Sequence, residues 1–337
     1  MITSAWTKRH TITIDHTKVT TGDHTDFPII LVNGNFLDDC YTVAKSDGSD
    51  IRFSSDEGGA NELAFEIVSW NQGAKTSEVW VKIPTLSSAT DVVIYVWYGN
   101  AAATAYSHTD TYGTHAVWSN NFQGVYHLEA NGNDSSPNSY NMTKYGNPGN
   151  VTVKNGKGFE FYQNAADYFE VTGATNLNVT NETISCWGRS DADGDGGFAI
   201  GQNNNCGLRC NNFGDFRFNC PVSGITGNAS VARDANLNFI AGTYAPNSNV
   251  VYKNKTTNTV ATSGTAGGAG TTWWLGKLSG TNWPLDGLID EVHIVSVARS
   301  TAWLNTEYDN QNAPLTFSAG SNAILYTWGG AISILFI

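Results

Sequence analysis

The stretch of sequence that decides the fold is residues 273–311, which read WWLGKLSGTNWPLDGLIDEVHIVSVARSTAWLNTEYDNQ. The pattern predicts a strand, a loop, a second strand and a short closing helix capped by Ser300. Alternation in the second strand predicts one face with Leu288, Asp290, Val292 and Ile294 and an opposite face with Ile289, Glu291, His293 and Val295. Asp290 would then stand in an apolar row, where a carboxylate needs backbone donors, a cation or a metal ion.

The rest of the chain favours β-structure. Apolar and polar residues alternate at 79–83, 159–161 and 237–241, and only 14% of the residues are charged while glycine and small polar residues are abundant. The predicted fold class is therefore all-β, with two consecutive antiparallel β-sandwich domains of jelly-roll type and a short C-terminal apolar β-hairpin.

Three segments in family order resemble the laminin-G-like, concanavalin A-like lectin/glucanase family. They are the stretch at 273–311, GVYHLEANGNDSSPNSYNMT at 124–143 and ETISCWGRS at 182–190. The resemblance implies a lectin-like sandwich, but a fold of this kind hosts many functions and does not define a ligand.

The first part of the chain resembles a domain of unknown function. That domain commonly precedes a laminin-G-like module in microbial surface proteins and in phage virion proteins. Six blocks carry the resemblance in order: WTKRHTITI at 6–14, TDFPIILV at 25–32, SDGSDIRFSSDEG at 46–58, FEIVSWN at 65–71, VWVKIPTL at 79–86 and VVIYVWYGN at 92–100. The family supplies no catalytic residues.

These features predict four segments in the 337 residues. Residues 1–106 form the first sandwich, 107–120 a linker, 121–316 the laminin-G-like sandwich and 317–337 an apolar tail. The length is sufficient for two cores of ordinary size.

The net charge of −12 argues against binding to nucleic acid, which requires clustered lysine and arginine that this chain lacks. An acidic surface is otherwise explained by solubility.

No catalytic constellation is recognisable, and the chain is predicted not to be an enzyme. Retaining glycosidases need two carboxylates about 5 Å apart, whereas regular alternation would point Asp290 and Glu291 to opposite faces. No G-x-S-x-G elbow is present either. Polysaccharide hydrolysis is the least favoured function.

Candidate ligand-binding residues are Trp274, Asn282 and Trp283, in or beside the loop that precedes the Asp290 strand. Aromatic faces and amide donors suit sugar rings. The alternative is that the tryptophans fill the sandwich core or an interdomain contact. The core position is expected for one of the neighbours Trp273 and Trp274, and Trp283 stays open.

Calcium is the candidate cofactor, with Asp134 and Asp290 as ligands, because carboxylate oxygens suit a hard cation. The alternative is an Asx-turn at Asp134 and a hydrogen-bonded Asp290. A second loop, Asp191 to Gly196, matches the start of an EF-hand, but Gln202 replaces the bidentate glutamate and a polar hairpin loop is favoured.

The cysteines are Cys40, Cys186, Cys206, Cys210 and Cys220. One disulfide could form among the last three. A zinc site is disfavoured because no paired Cys-x-x-Cys or nearby histidine exists. Buried thiols are the favoured interpretation.

The tail from Ala323 to Ile337 is nearly all apolar and is interrupted by Gly329–Gly330. It is too short for an ordinary transmembrane helix and fits a hairpin. Apolar residues on both of its faces predict an interface with another copy or with another structural protein, and the alternative is packing on its own domain. The predicted assembly residues are Ile324, Leu325, Trp328, Ile332, Ile334 and Phe336.

The first predicted strand begins close to Met1, which leaves no room for a signal peptide if the natural chain starts there. We therefore expect a structural virion component, such as a phage fibre, tail-associated or capsid-decorating protein, located on the virion with a lectin-like domain that contacts host glycans. The alternative is a secreted or cell-surface microbial adhesin.

Overall fold

The computed structural model describes residues 2, 5–162, 167–177, 181–191, 198–201, 207–210, 214–219, 229–261, 270–277 and 284–321. The chain forms two compact units. The first unit contains the described residues up to Asn120 and those from Asn305 to Ser321, and the second contains the described residues from Asn121 to Leu304. Residues 305–316, which sequence analysis includes in the laminin-G-like segment, belong to the first unit.

The first unit is an antiparallel sandwich of a four-stranded sheet, in the order β22-β1-β6-β3, and a three-stranded sheet, β2-β5-β4. The strands are β1 (Lys8–Ile14), β2 (His24–Val32), β3 (Arg52–Ser54), β4 (Phe65–Asn71), β5 (Thr76–Leu86), β6 (Val92–Tyr98) and β22 (Ser318–Gly320). The helices are α1 (Asp38–Val43), α2 (Thr114–Val117), α4 (Pro314–Phe317) and a 3-10 turn at His16–Lys18, and α3 (Thr301–Asn312) runs from the second unit into the first.

Buried alternating residues form the core of the first unit. Across the two sheets, the ring centroids of Phe53 in β3 and Phe65 in β4 lie 5.2 Å apart. The end of the described chain returns to this unit because β22 pairs with β1, Ile14 facing Ser318. The Asn35 amide also donates to the Ser318 carbonyl at 2.7 Å. These contacts explain why the residues after Asn305 lie with the first unit.

The second unit contains the two larger antiparallel sheets. The eight-stranded sheet has the order β19-β18-β17-β12-β21-β10-β9 with β7 also paired to β21, and the seven-stranded sheet has the order β16-β15-β14-β13-β20-β11-β8. The strands are β7 (Phe122–Tyr126), β8 (Thr143–Tyr145), β9 (Gly149–Thr152), β10 (Lys157–Phe161), β11 (Tyr168–Val171), β12 (Glu182–Ser190), β13 (Phe198–Gly201), β14 (Gly207–Cys210), β15 (Asp215–Asn219), β16 (Ala229–Ala232), β17 (Asn238–Ala245), β18 (Ser248–Lys253), β19 (Thr256–Val260), β20 (Trp273–Leu275) and β21 (Gly287–Val295). A 3-10 turn lies at Thr175–Leu177.

One core joins the two sheets of the second unit. It includes Phe159, Phe169, Ile184, Phe218 and Trp273, each buried almost completely. The predicted all-β, two-sandwich fold class is confirmed, and so is the Ser300 cap, whose hydroxyl accepts the Trp303 amide at 3.2 Å. The predicted C-terminal hairpin lies outside the described residues. Within the described residues, no helix has the length and apolar character needed to span a membrane.

Candidate functional site

The outer side of the seven-stranded sheet carries a row of aromatic and charged residues. In β11, Phe169 and Val171 enter the core, so alternation turns Tyr168 and Glu170 outward. In the neighbouring strand β20, Trp273 is in the core and Trp274 faces outward opposite Glu170. Tyr145, Tyr168, Glu170, Trp274 and Lys277 together form what we term the aromatic face.

Direct contacts hold the aromatic face together. The rings of Tyr145 and Tyr168 stack with their centroids 4.6 Å apart and their planes within 12°. The ammonium of Lys277 lies 3.1 Å from the centroid of the Tyr168 ring, and the Trp274 indole donates a hydrogen bond of 2.6 Å to Glu170. Tyr145 and Lys277 thus cover opposite faces of the Tyr168 ring. The accessible aromatic surface is that of Tyr145, which is 40% exposed, and it lies beside a cation and a carboxylate at fixed positions.

Burial and charge tune the titrating groups of this face. Partial burial lowers the pKa of Lys277, and the nearby Glu170 opposes that effect. Burial, followed by the charge of Glu170, raises the pKa of Tyr168. The raised pKa of Tyr168 keeps its phenol neutral at neutral pH.

The aromatic face continues onto two further strands. Leu208 and Phe216 are core residues, so Arg209 of β14 and Arg217 of β15 face outward as cross-strand partners. Arg217 pairs with Asp215 at 3.1 Å. Charged hydrogen-bonding groups thus lie on the same side of the sheet as the tyrosines.

Trp274 is the predicted ligand-binding residue that the structure places on this face. Its side chain is only 9% exposed and its N–H is engaged by Glu170, whereas Tyr145 is 40% exposed. Asn282 and Trp283 lie outside the described residues. Tyr145 and Tyr168 were missed by sequence reasoning, although the alternation in YFEV at 168–171 would have placed Tyr168 on an outer face.

The predicted alternation along β21 is wrong, because a β-bulge interrupts it at Glu291. Ile289, Val292 and Ile294 are the core residues, and Glu291 has a left-handed backbone with φ of 48°. The register with β12 shifts at the same place, between Ser185 and Trp187. A bulge adds one residue to a strand, so Asp290, Glu291 and His293 all lie outside the core that Val292 enters.

The bulge assembles a buried histidine–carboxylate cluster, defined by His127, Asp290, Glu291 and His293. Nδ1 of His127 lies 3.0 Å from Oε2 of Glu291, and Nε2 of His293 lies 3.6 Å from the same oxygen. Asp290 accepts the backbone amides of Lys154 at 3.1 Å and Glu291 at 2.9 Å. The predicted backbone donors to Asp290 are therefore present.

The two adjacent carboxyls of this cluster titrate in opposite directions. Burial alone would raise the pKa of Glu291, but His127 and then His293 lower it to about 2. Burial, reinforced by the charge of Glu291, raises the pKa of Asp290 far above its ordinary value. Such a split can serve acid–base chemistry, yet each of the four residues is at most 5% exposed.

Asp134 is held in a dense hydrogen-bond network. Its carboxylate accepts the amides of Val125, Ser136 and Tyr140 at 2.9, 2.8 and 2.8 Å and the Ser136 hydroxyl at 2.9 Å. Burial raises its pKa and these donors oppose the shift. Four donors fill the four lone-pair positions of a carboxylate, so the residues here fit the Asx-turn alternative better than a calcium ion. Calcium at Asp134 and Asp290 stays a prediction.

A second group of possible metal ligands lies in the first unit at Asp15, His16 and Asp91. One ligand atom of each lies within 4.8 Å of the others. Asp91 accepts both the Nδ1 proton and the amide of His16, at 2.6 and 3.0 Å, and these bonds lower its pKa. Asp15 accepts the amide and hydroxyl of Thr17. The group is a partly exposed turn whose carboxylates are already hydrogen-bonded.

Some of the remaining predicted residues lie within the described residues and others lie outside them. Cys40, Cys186 and Cys210 are buried free thiols, and burial raises the pKa of Cys210 to about 12. Cys206, Cys220, Asp193 and Asp195 lie outside the described residues, as do all the predicted assembly residues of the tail.

The second unit thus has the architecture of a lectin-like sandwich with an aromatic, charged outer sheet face. Comparison with family models agrees: residues 163–305 match the concanavalin A-like lectin/glucanases superfamily, and residues 47–124 match a domain of unknown function, DUF2341. The two matches follow each other along the chain in the order that the resemblances in the sequence implied. Among curated proteins, none gives a significant match.

Solved structures give partial matches. The receptor-binding domain of a botulinum neurotoxin C/D mosaic aligns at 15% identity and a TM-score of 0.45, over 57% of this chain and 51% of that one. The binding domain of Paraclostridial Mosquitocidal Protein 1 aligns at 13% identity and a TM-score of 0.46, over 56% and 52%. The botulinum neurotoxin serotype D binding domain aligns at 15% identity and a TM-score of 0.42, over 57% of this chain and 52% of that one. The alignments thus span about half the length of each of these chains.

Proposed function

We propose that the protein is a non-enzymatic carbohydrate-binding protein whose aromatic face contacts glycans. The observation that carries this proposal is the stacked pair Tyr145 and Tyr168 with the Lys277 ammonium over the second ring. Sugar rings present apolar C–H faces that pack on aromatic rings, and hydroxyls that bond to charged groups at the rim. The match of residues 163–305 to a lectin/glucanase family supports the same class of ligand.

A glycan array with two tyrosine variants tests the proposal. Tyr168→Ala removes the ring that stacks on Tyr145 and underlies Lys277, and we expect about tenfold weaker binding to any glycan retained by the wild type. Tyr162→Ala is the matched control, because Tyr162 is 46% exposed and follows β10 in the other sheet. Equal retention by wild type and Tyr168→Ala would overturn the assignment of this face, and no glycan bound by the wild type would overturn the function.

Trp283→Ala provides a second test of the same function. Trp283 is six residues beyond Lys277 in sequence, and we expect its loss to weaken glycan retention if the loop contributes to the site. A loss with Tyr168→Ala but not with Trp283→Ala would confine the site to the aromatic face.

We further propose that the protein is an outer structural component of a virion, as a phage fibre, tail-associated or capsid-decorating protein, with a secreted or cell-surface adhesin as the alternative. The resemblance of the first domain to one found before laminin-G-like modules in phage virion proteins supports this location. The partners would be other copies of the chain or other virion proteins, bound through the apolar tail.

Light scattering and immunoelectron microscopy test this second proposal. The full chain should form a defined oligomer, and a version ending at Gly320 should be a monomer. Antibody raised against the protein should label particles released from the producing culture. Monomers for both versions, or label confined to the cell envelope, would favour the adhesin.

A further inference from the structure

A cavity of about 190 Å³ lies in the first unit and is lined only by residues of that unit. All of its lining residues lie within residues 47–124, the part that matches the domain of unknown function. The residues that define its chemistry are Asp47, Arg52, Phe65 and Tyr106, with Ala105 at the edge. None of these residues takes part in the aromatic face of the second unit.

Arg52 forms a fixed and already occupied part of the cavity wall. It is 4% exposed, and its guanidinium donates to the carbonyls of Ser49, Ile51 and Thr104 at 3.0, 2.7 and 2.6 Å. The guanidinium also stacks on the Tyr106 ring, 4.1 Å from its centroid. Most of the N–H donors of Arg52 are engaged by backbone carbonyls. Arg52 therefore supplies charge to the cavity without a free pair of N–H groups for bidentate binding of a carboxylate or phosphate.

Two aromatic rings form the apolar wall. The rings of Phe65 and Tyr106 have centroids 6.0 Å apart and planes tilted by 59°. The Tyr106 hydroxyl donates to Glu62 at 2.6 Å, and Glu62 lies 3.6 Å from Nε of Arg52. The ring of Tyr106 is therefore held in place between a hydrogen bond and a stacked cation.

The acceptor at the cavity is Asp47, whose side chain is exposed. Its Oδ1 accepts the Ser49 amide at 3.0 Å, which orients the carboxylate. The hydroxyl and the amide of Ser49 lower the pKa of Asp47, so the group is ionised at neutral pH. Its second oxygen remains available to hydroxyl donors of a ligand in the cavity.

These groups select among classes of ligand. A cation in the cavity would be repelled by the Arg52 guanidinium, and an anion would meet Asp47 without a free arginine fork to bind it. A neutral ring with hydroxyls can place its apolar side on Phe65 and Tyr106 and donate to Asp47. The volume is below the ~300–1,000 Å³ typical of pockets for drug-sized ligands, which limits the occupant to about one ring.

We propose that this cavity is a second carbohydrate site, which binds a single neutral monosaccharide ring through Asp47, Phe65 and Tyr106. The site does not depend on the aromatic face, and either can exist without the other. It assigns a binding role to the part of the chain that matches a family of unknown function.

Titration calorimetry and saturation-transfer NMR on the full chain test the proposal, with the methyl glycosides of glucose, galactose, mannose, fucose and N-acetylglucosamine as probes. The blocking variant is Ala105→Trp, which fills the cavity from an exposed position, and its matched control is Ala101→Trp, also at an exposed alanine of this unit. For at least one probe we expect about a tenfold loss of affinity in Ala105→Trp and about threefold in Asp47→Asn. Ala101→Trp should retain wild-type affinity.

Three results would overturn the proposal. They are no binding of any probe to the wild type, equal binding by Ala105→Trp, or tighter binding of tetramethylammonium than of every glycoside. Thermal unfolding of each variant shows whether the first unit is intact. Tyr168→Ala serves as a cross-check, since it should leave monosaccharide binding in the cavity unchanged even where it weakens glycan-array binding.

Discussion

The carboxylate of Glu291 lies 3.0 Å from Nδ1 of His127, and both side chains are almost completely buried. The left-handed backbone at Glu291, with φ of 48°, turns this side chain toward the histidine. Such a backbone is costly for a residue with a side chain and persists only where surrounding contacts over-determine it. The contact with His127 is one of the contacts that hold this backbone.

Replacement of Glu291 by glutamine should destabilise the second unit strongly. Glu291→Gln removes the charge of a buried carboxylate that lies against His127 and His293, and breaking a buried ion pair typically costs about 3–5 kcal/mol. Urea unfolding followed by tryptophan fluorescence measures the difference in free energy of unfolding. We expect a loss at the low end of that range, because glutamine retains an acceptor oxygen.

Glu160→Gln is the control for this change, since Glu160 pairs with Arg189 at 3.9 Å at a partly exposed position and should lose less than about 1 kcal/mol. The pH dependence gives a second readout. The pKa of Glu291 is about 2 in the folded state against 4.5 ordinarily. The contribution of Glu291 to the free energy of unfolding is therefore complete above pH 4.5 and is lost as the pH falls from 4.5 to 2. The difference in free energy of unfolding between the wild type and Glu291→Gln should become smaller over this range. A constant difference would contradict the ion pair.

Asp290→Asn should have the opposite pH dependence. Burial raises the pKa of Asp290 well above 3.8, so the folded protein holds a proton that the unfolded chain releases. Wild-type stability then falls as pH rises above 3.8, by up to about 1.4 kcal/mol per pH unit from this group. Asparagine is neutral throughout this range. In urea titrations, the free energy of unfolding of Asp290→Asn should therefore rise relative to that of the wild type between pH 4 and 7. Parallel stability curves would show that Asp290 is ionised in the native state.

The strand that contains Asp290 and the closing helix after it could be predicted from local patterns. The strand expected at 288–295 is Gly287–Val295, and the helix expected after Ser300 is Thr301–Asn312. Both signals are local, because alternation and a capping serine act within a few residues. The bulge at Glu291 could not be predicted in this way, because it is set by the shifted register of β21 against β12.

The candidate site was predicted only in part for a similar reason. Trp274 was identified from its side-chain type, but its contact with Glu170 depends on pairing between strands that are far apart in sequence. The Tyr145 and Tyr168 pair arises from β8, a strand of three residues that is too short to give a periodic signal. Long-range pairing, not residue type, decides which aromatic residues share the face.

Asp134→Asn should destabilise the protein to the same extent with and without calcium. The substitution replaces one acceptor oxygen by an N–H group beside the buried amides of Val125, Ser136 and Tyr140, and each unsatisfied amide costs about 1–3 kcal/mol. Thermal unfolding in EDTA and in millimolar CaCl₂ measures the effect. Asp110→Asn, at an exposed aspartate of the first unit, is the control. Calcium that raises the unfolding temperature of the wild type but not of Asp134→Asn would establish the metal alternative instead.

Gly242→Ala should disrupt the sandwich of the second unit, because Gly242 leaves no room for a side chain beneath Phe218 of the facing sheet. Gly242 of β17 lies under the Phe218 ring of β15, and a methyl group at Gly242 would overlap that ring. Overpacking of a rigid core costs about 1–3 kcal/mol, and we expect the upper part of that range in urea unfolding because both partners are buried within paired strands. Gly149→Ala is the matched control, since its added methyl group would meet only ordinary contacts at 3.5 Å or more. Equal stability of the two variants would mean that Phe218 can move away from Gly242, and that the contact between the sheets is not fixed here.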